Sequence, residues 1–313
     1  MSITVVGSIA FDAVQTPFGQ RDRMLGGAAT HFALAASLLD QVRIVGPVGE
    51  DFGDREMAVL GTRGTDVEDV ERVAGGKTFF WKGRYGWDLN TRDTLDTQLN
   101  VFEHFAPKLS QASRGSEVLF LANIQPGLQL QVRAQCDAAR FVALDSMNLW
   151  IDIAREELMS IIGRVDCLIL NDEELRQLTA KPNLISAAHA ILDMTPGPSM
   201  IVAKQGEYGS ALITKTDFFA LPAYPLHEVV DPTGAGDTFA GGFVGFIASQ
   251  IAGPLTGEVL RNAMAYGTAL ASFNVEKFGT EGLEAIQPAA VLERVRDLDR
   301  FARFDPIEVE LRS

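Results

Sequence analysis

Short apolar runs alternate along the chain with longer stretches of helical periodicity. Six runs rich in Val, Ile, Leu and Phe predict buried strands, the second of which continues into a loop: 3–7, 42–51, 117–123, 141–145, 166–170 and 200–204. Helical patterns lie between most of them, as at 26–40, 151–162 and 184–194. Because strands that alternate with helices form parallel sheets covered on both faces, the pattern predicts an α/β chain. Ligands of such sheets bind at the carboxyl ends of the strands.

One region interrupts this alternation. Segment 77–97 is aromatic, polar and rich in threonine, which favours short strands over a helix. Together with segment 11–25, it is expected to form a small accessory sheet over the strand ends. We therefore predict a single α/β domain over residues 1–313, with a lid built from about 11–25 and 75–100.

The charge and the cysteines limit the function classes. The chain carries a formal net charge of −14 and no long basic block, so nucleic acid and anionic membranes are poor candidate partners. Cys136 and Cys167 fit neither a disulfide framework nor a metal knuckle, and buried free thiols agree with a cytoplasmic location. Residues 238–257 are uncharged, but their glycines favour a buried helix that ends near Gly253-Pro254 over a membrane span.

The most informative segment is 231–243, with the sequence DPTGAGDTFAGGF. Gly234 and Gly236 tolerate backbone angles that other residues resist, and they let a ligand approach the main chain. A helix that starts near Asp237 would direct its free N–H groups into this turn and form an anion site. Asp237 would then stand beside a bound phosphate and accept the proton of an attacking hydroxyl. The alternative is an aspartate that only caps the helix, but the full string favours phosphoryl transfer.

Two common phosphate loops are excluded. The chain has no G-x-x-x-x-G-K-[ST] motif, and a Rossmann fingerprint fails because Phe239 replaces the third glycine. A dinucleotide-dependent oxidoreductase is therefore disfavoured.

Segment 231–243 resembles the C-terminal signature of the ribokinase-like (PfkB-type) carbohydrate kinase family. Further segments resemble the family in the same order: GGAATHFALAASLL, VGPVGEDFG, LNDEEL and VAKQGEYGSAL. The resemblance extends from about residue 3 to about residue 285. It implies a Rossmann-like three-layer sandwich with a mostly parallel central sheet and a small β lid, and it implies ATP and Mg²⁺ as cofactors.

The resemblance also assigns roles in segment 231–243 by position. Asp237 corresponds to the catalytic base of the family. Asp231 and Thr233 fall where many relatives hold a monovalent cation such as K⁺. The amides of the glycine turn correspond to the anion hole: Gly234, Ala235 and Gly236.

On the nucleotide side, Asn171 and Glu174 correspond to residues that the family places around the phosphates and Mg²⁺, often through water. Their spacing is also that of a capping box at a helix start, and both interpretations can hold together. Lys204 ends a strand and is either a point charge for the phosphates or a solvated strand-end lysine. Gly206 corresponds to a nucleotide-loop glycine, or is a plain turn residue.

On the substrate side, Asp12 resembles the aspartate that binds sugar hydroxyls. Gly26 and Gly27 would let the substrate lie close to a helix N-terminus. His31 departs from the family, because many sugar kinases carry asparagine there as a substrate ligand; a histidine bonds with different reach and protonation. Segment 143–150 matches a family stretch that lines the pocket, which assigns Asn148, together with Asp145, to the substrate site.

These features predict an ATP-dependent small-molecule kinase that phosphorylates a hydroxyl of a sugar. There are two alternatives. One is a nucleoside kinase of the same fold, in which lid aromatics stack on the base. The other is a catalytically idle relative that binds a sugar or nucleotide. The lid side chains in question are Phe79, Trp81, Arg84 and Tyr85, which otherwise form the lid's own small core. An exposed edge of the lid sheet predicts a homodimer that pairs through the lid.

Overall fold

The computed structural model describes residues 2–303 and 305–307. The strands, in chain order, are β1 (Ser2–Val6), β2 (Ala10–Thr16), β3 (Gly19–Gly26), β4 (Gln41–Val48), β5 (Val70–Arg72), β6 (Phe79–Tyr85), β7 (Arg92–Gln98), β8 (Val118–Leu121), β9 (Phe141–Asp145), β10 (Cys167–Asn171), β11 (Met200–Lys204), β12 (Ser210–Thr214) and β13 (Phe218–Leu221). The helices are α1 (Ala28–Ala36), α2 (Asp54–Leu60), α3 (Gln111–Arg114), α4 (Pro126–Arg133), α5 (Asn148–Ile153), α6 (Arg155–Ile162), α7 (Asp172–Thr179), α8 (Leu184–Leu192), α9 (Ala235–Gln250), α10 (Gly257–Asn274), α11 (Glu281–Glu284) and α12 (Pro288–Ala302).

The central sheet has nine strands in the order β13-β12-β11-β10-β9-β8-β1-β4-β5. The strands from β11 to β5 pair in parallel, whereas β12 and β13 add an antiparallel edge. The apolar runs become these strands because side chains on both of their faces are buried. The predicted mostly parallel sheet is confirmed.

Two hydrophobic cores cover the two faces of this sheet. One packs α1, α9 and α10 on the sheet through side chains such as Phe32, Phe243 and Met264. The other packs helices such as α6 and α8 on the opposite face, through Ile161 and Leu192. This arrangement confirms the three-layer sandwich.

Four strands form a second, smaller sheet in the order β3-β2-β6-β7. Its strands lie within residues 10–26 and 79–98, where the sequence predicted the lid. Strands β2 and β6 pair in parallel at its centre, and hairpin partners extend it on either side.

Two helices differ from the sequence prediction. The single helix expected over 151–162 is wrong, because Ala154 has φ −137° and ψ 34° and separates α5 from α6. Helix α9 ends at Gln250, a few residues before the predicted Gly253. Among the described residues, none of the helices has the length and apolar character needed to span a bilayer.

Candidate active site

Three neighbouring strands of the central sheet end in polar side chains. Strand β9 ends at Asp145, β10 at Asn171 and β11 at Lys204, and Asn171 lies opposite Lys204 in the register. Because the strands are parallel, these side chains meet at one edge of the sheet. The Lys204 ammonium Nζ donates to Asp145 Oδ2 at 2.8 Å, and both side chains are mostly buried.

The charge of Lys204 is stabilised by its acidic neighbours. Burial lowers the pKa of Lys204, but Asp145 and Glu174 outweigh that effect and raise it above its usual value. Lys204 is therefore a fixed positive charge at neutral pH.

Asn171 and Glu174 form the capping box that their spacing predicted. Asn171 Oδ1 accepts from the Glu174 N–H at 2.7 Å, and Glu174 Oε2 accepts from the Asn171 N–H at 2.8 Å. Burial raises the pKa of Glu174 to about 7, opposed mainly by Lys204. No described residue donates to Glu174 Oε1, so this oxygen is available to a ligand.

The glycine turn before α9 presents free amides next to Lys204. Gly234 has φ 75°, in the left-handed region that favours glycine, and α9 begins at the next residue. A Cβ at Gly236 would lie 3.0 Å from Lys204 Nζ, so the glycine allows the lysine to approach the turn. The Ala235 N–H donates to the Pro232 carbonyl at 3.2 Å. The remaining amides of the turn have no acceptor among the described residues: Gly234, Gly236 and Asp237.

Asp237 lies in the first turn of α9, half-buried beside these amides. Burial is the main cause that raises its pKa to about 7, and Asp145 adds to it, whereas Lys204 and Arg92 oppose the shift. A carboxylate with a near-neutral pKa is suited to accept a proton at physiological pH.

Asp12 faces this cluster from lid strand β2. It is 5% exposed, and burial, with Asp231 and Asp237, raises its pKa to about 7. A Cβ at Gly26 would come within 1.9 Å of Asp12 Oδ2, so only glycine admits this carboxylate. Gly27, with φ 98°, is the N-cap of α1, and its backbone N–H partly opposes the rise in the pKa of Asp12.

Of three further predicted residues, Asn148 and Gly206 lie apart from this cluster, whereas His31 packs against its glycine turn. His31 is 1% exposed and bonds to Asn274, so its ring is part of the core. Asn148 is exposed at the start of α5, and its Oδ1 accepts from the adjacent Leu149 N–H. Gly206 has φ 57° in a turn beside the lid hairpin, where Asn90 donates to Glu207 at 3.4 Å. The substrate and nucleotide roles of these residues stay predictions.

Comparison with known proteins identifies the family. A model described as the pfkB family carbohydrate kinase matches residues 2–286. The chain belongs to this family. It is therefore a phosphotransferase with an alcohol group as acceptor.

Individual relatives of this pfkB-family chain include nucleoside kinases. A cytidine kinase of Thermococcus kodakarensis is 27% identical over 286 residues, which cover 89% of this chain and 98% of the relative. A nucleoside kinase of Methanothermobacter thermautotrophicus is 26% identical, with 89% and 91% covered. An E. coli protein described as a ribokinase II, crystallised with ATP and Mg²⁺, has a TM-score of 0.74 at 19% identity, with 95% and 99% covered. This likeness confirms the ribokinase-like fold.

Sequence reasoning missed Arg92 in this pfkB-family lid. Arg92 lies opposite Tyr85 in the β6–β7 register, and its positive charge opposes the rise that burial causes in the pKa of the Tyr85 hydroxyl. Its positive charge also lowers the pKa of Asp12, Glu174 and Asp237. The lid arginine singled out from the sequence, Arg84, is exposed like Arg92, but it pairs with Asp93 at 3.0 Å. Only the hairpin register, which the sequence does not fix, distinguishes the two arginines.

Proposed function

We propose that this enzyme transfers the γ-phosphoryl group of MgATP to a hydroxyl of a nucleoside. The observation that supports the transfer chemistry is the position of Asp237. Its carboxyl group, with a pKa of about 7, lies beside free amides and a protonated lysine. Phosphoryl transfer needs this combination, because the reaction is governed by positioning and by stabilisation of charge on the phosphoryl oxygens.

The chain's own groups divide the work as follows. Asp237 accepts the proton of the acceptor hydroxyl as that oxygen bonds to the γ-phosphorus, while the bond from this phosphorus to the β-phosphate oxygen breaks and ADP leaves. The N–H groups of Gly234, Gly236 and Asp237, with the Lys204 ammonium, hold the phosphoryl oxygens. The lid sheet excludes water, so that ATP is not lost to hydrolysis.

The residues present fit MgATP. In the described part of the chain, no three His, Cys, Asp or Glu side chains are arranged as a metal cage. Mg²⁺ in kinases keeps several waters and binds through one or two carboxylates plus phosphates, which neutralises phosphate charge. Glu174, with its free Oε1 next to Asp145 and Lys204, would hold such a hydrated ion, as its capping-box partner Asn171 fixes its position.

The acceptor side favours a nucleoside over the bare sugar that the sequence alone favoured. Trp81 lies opposite Asp12 in the β2–β6 register. Its indole lies against Gly83, where a Cβ would be 2.0 Å from Trp81 Cη2, and its Nε1 donates to Thr94 Oγ1 at 3.3 Å. A fixed aromatic ring at the level of a hydroxyl-binding carboxylate suits a base attached to a ribose. The named cytidine and nucleoside kinases support this choice.

The test is ADP release with MgATP against cytidine, uridine, adenosine, guanosine, ribose and fructose. Because stacking of a base on an aromatic side chain contributes about 1–3 kcal/mol, the best nucleoside should exceed ribose in kcat/KM by about 5- to 150-fold. Trp81→Ala should remove this preference and leave ribose turnover unchanged, whereas Trp81→Phe should keep most of it.

Two outcomes would contradict the proposal. A sugar that is a better acceptor than every nucleoside would make the enzyme a sugar kinase. Ligand binding without ADP release from any acceptor would indicate a catalytically idle relative.

A further inference from the structure

The turn that precedes the free amides contains oxygens that would bind a monovalent cation. These oxygens already accept hydrogen bonds from N–H groups of the protein. Asp231 is fully buried, and both of its carboxylate oxygens accept backbone N–H groups: Oδ1 from Thr233 at 2.9 Å and Oδ2 from Gly279 at 3.1 Å. The Thr233 carbonyl accepts from the side-chain amide of Asn274, at 2.7 Å from Nδ2.

His31 orients the Asn274 amide. The His31 Nδ1 lies 3.0 Å from Asn274 Oδ1, and both side chains are buried. Since the amide oxygen can only accept, Nδ1 carries the proton and donates, which turns the Asn274 NH₂ group toward Thr233. Burial lowers the pKa of His31 to about 4, so the ring is neutral at physiological pH.

The same histidine ring supports the turn directly. A Cβ at Gly234 would lie 2.5 Å from each of three ring atoms of His31, so the imidazole is packed on the Gly234 Cα. His31 on α1 therefore contacts the turn in two ways: through Asn274 at the end of α10, and directly at Gly234.

This hydrogen-bonded arrangement does not fit a monovalent cation. Such an ion binds carboxylate and carbonyl oxygens, as hard cations do, and the two residues assigned to it are Asp231 and Thr233. Here both Asp231 carboxylate oxygens and the Thr233 carbonyl already accept an N–H group, and the Thr233 hydroxyl donates to Tyr85. An ion at the Thr233 carbonyl would also meet the positive end of the Asn274 amide dipole.

We propose that the hydrogen-bonded pair His31–Asn274 takes the place of the monovalent cation in this enzyme. The pair fixes the 231–234 turn, and with it the amides that hold the phosphoryl group, without K⁺ or Na⁺. His31 and Asn274 are thus positioning residues that act through the Thr233 carbonyl. The inference rests on the proposed kinase function.

The experiment compares the protein in KCl, NaCl and tetramethylammonium chloride at equal ionic strength. In wild type, kcat and the KM for MgATP should each change by less than about twofold among the three salts. The thermal unfolding temperature with ADP bound should likewise be the same in KCl and in tetramethylammonium chloride. This second readout needs no turnover, so it decides the inference even if no acceptor is phosphorylated.

Asn274→Ala removes the donor and uncovers the Thr233 carbonyl. In tetramethylammonium chloride we expect its kcat to fall by about 5- to 150-fold, the effect of losing about 1–3 kcal/mol at an unsatisfied buried group. K⁺ should reduce this loss and raise the variant's unfolding temperature. Asn183→Ala is the matched control, because it removes a helix cap remote from the turn. Asn183 Oδ1 accepts from the Ser186 N–H at 2.9 Å, and its loss should cause no response to cations.

Activation of wild type by K⁺ of about tenfold or more, or a rise in its unfolding temperature specific to K⁺, would overturn the inference. An Asn274→Ala variant with wild-type kcat in every salt would overturn it as well. The wild-type measurement is decisive even if the variant does not fold.

Discussion

At the residue scale, the site depends on carboxylates that are only partly ionised at neutral pH. Burial raises the pKa of Asp12, Glu174 and Asp237 to about 7 each. Because the groups interact, their titration belongs to the cluster rather than to one residue. The charge of Arg92 opposes the rise in all three pKa values, and that of Lys204 opposes it in Glu174 and Asp237.

The proposed mechanism predicts an acid limb in the pH profile. Asp237 accepts a proton only when ionised, and a raised pKa means that its neutral form persists up to about pH 7. We expect kcat/KM to fall by about tenfold per pH unit below about pH 7 and to level off above it. Steady-state rates at saturating MgATP measure this. A flat profile from about pH 5 to about pH 8 would contradict the role of Asp237.

Several of these residues were predictable one by one. Asp237 and Lys204 follow from a glycine turn and a strand end, whose local sequence signals are strong. The Lys204–Asp145 ion pair was not predicted, because it joins residues 59 positions apart. His31 shows the same limit: the helix is evident from the sequence, but its partner Asn274 lies 243 positions away.

At the scale of elements, the lid hairpin supplies a charge to the site. The pairing of Tyr85 with Arg92 puts the guanidinium on the face that meets Asp12 and Asp237. Tyr85 also ties the lid to the glycine turn, because Thr233 Oγ1 donates to its hydroxyl at 3.2 Å.

Removing the Arg92 charge should impair transfer. We expect Arg92→Ala to lower kcat/KM by about 10- to 150-fold, since hydrogen bonds to charged groups contribute about 1.5–3 kcal/mol. The acid limb should also move to higher pH, because Arg92 holds the pKa of Asp237 down. Arg84→Ala, in the same hairpin but paired with Asp93, is the control and should stay within about twofold of wild type. Equal losses in both variants would show that the hairpin, and not this charge, is responsible.

The positions of the strands and helices were largely predictable from the sequence. The boundary between α5 and α6 shows why some helix ends were not. The strands follow from apolar runs that only a doubly covered sheet can bury. The break at Ala154 has no glycine or proline signal. It coincides with a long-range tie, in which the Arg155 guanidinium donates to the Leu178 carbonyl. Tertiary contacts of this kind override local propensity.

At the scale of the whole molecule, the lid carries four of the twelve large apolar side chains that are exposed among the described residues. Its large exposed side chains are Phe18, Trp87, Leu95 and Leu99, and β3 and β7 are the edge strands of its sheet. Unpaired edges with apolar side chains favour association.

We therefore expect a homodimer that pairs through the lid. Light scattering should give twice the 33.9 kDa mass of one chain, and Leu95→Asp should shift the protein toward monomers. Ile153→Asp changes a still more exposed apolar residue, on α5, and should leave the dimer intact. A monomer at every concentration tested would refute the lid pairing.

The most direct test of phosphoryl transfer by Asp237 is the rate at which the γ-phosphoryl group of labelled ATP appears in the best acceptor, in wild type and in Asp237→Asn. We predict that kcat falls by about 10²–10⁴-fold while the KM for MgATP changes little, because only the base is lost. The variant should unfold at no lower temperature than wild type at pH 8, since it removes a half-buried carboxylate whose raised pKa shows that the folded state disfavours its charge. Near-wild-type transfer in Asp237→Asn would contradict the assignment of Asp237 as the base.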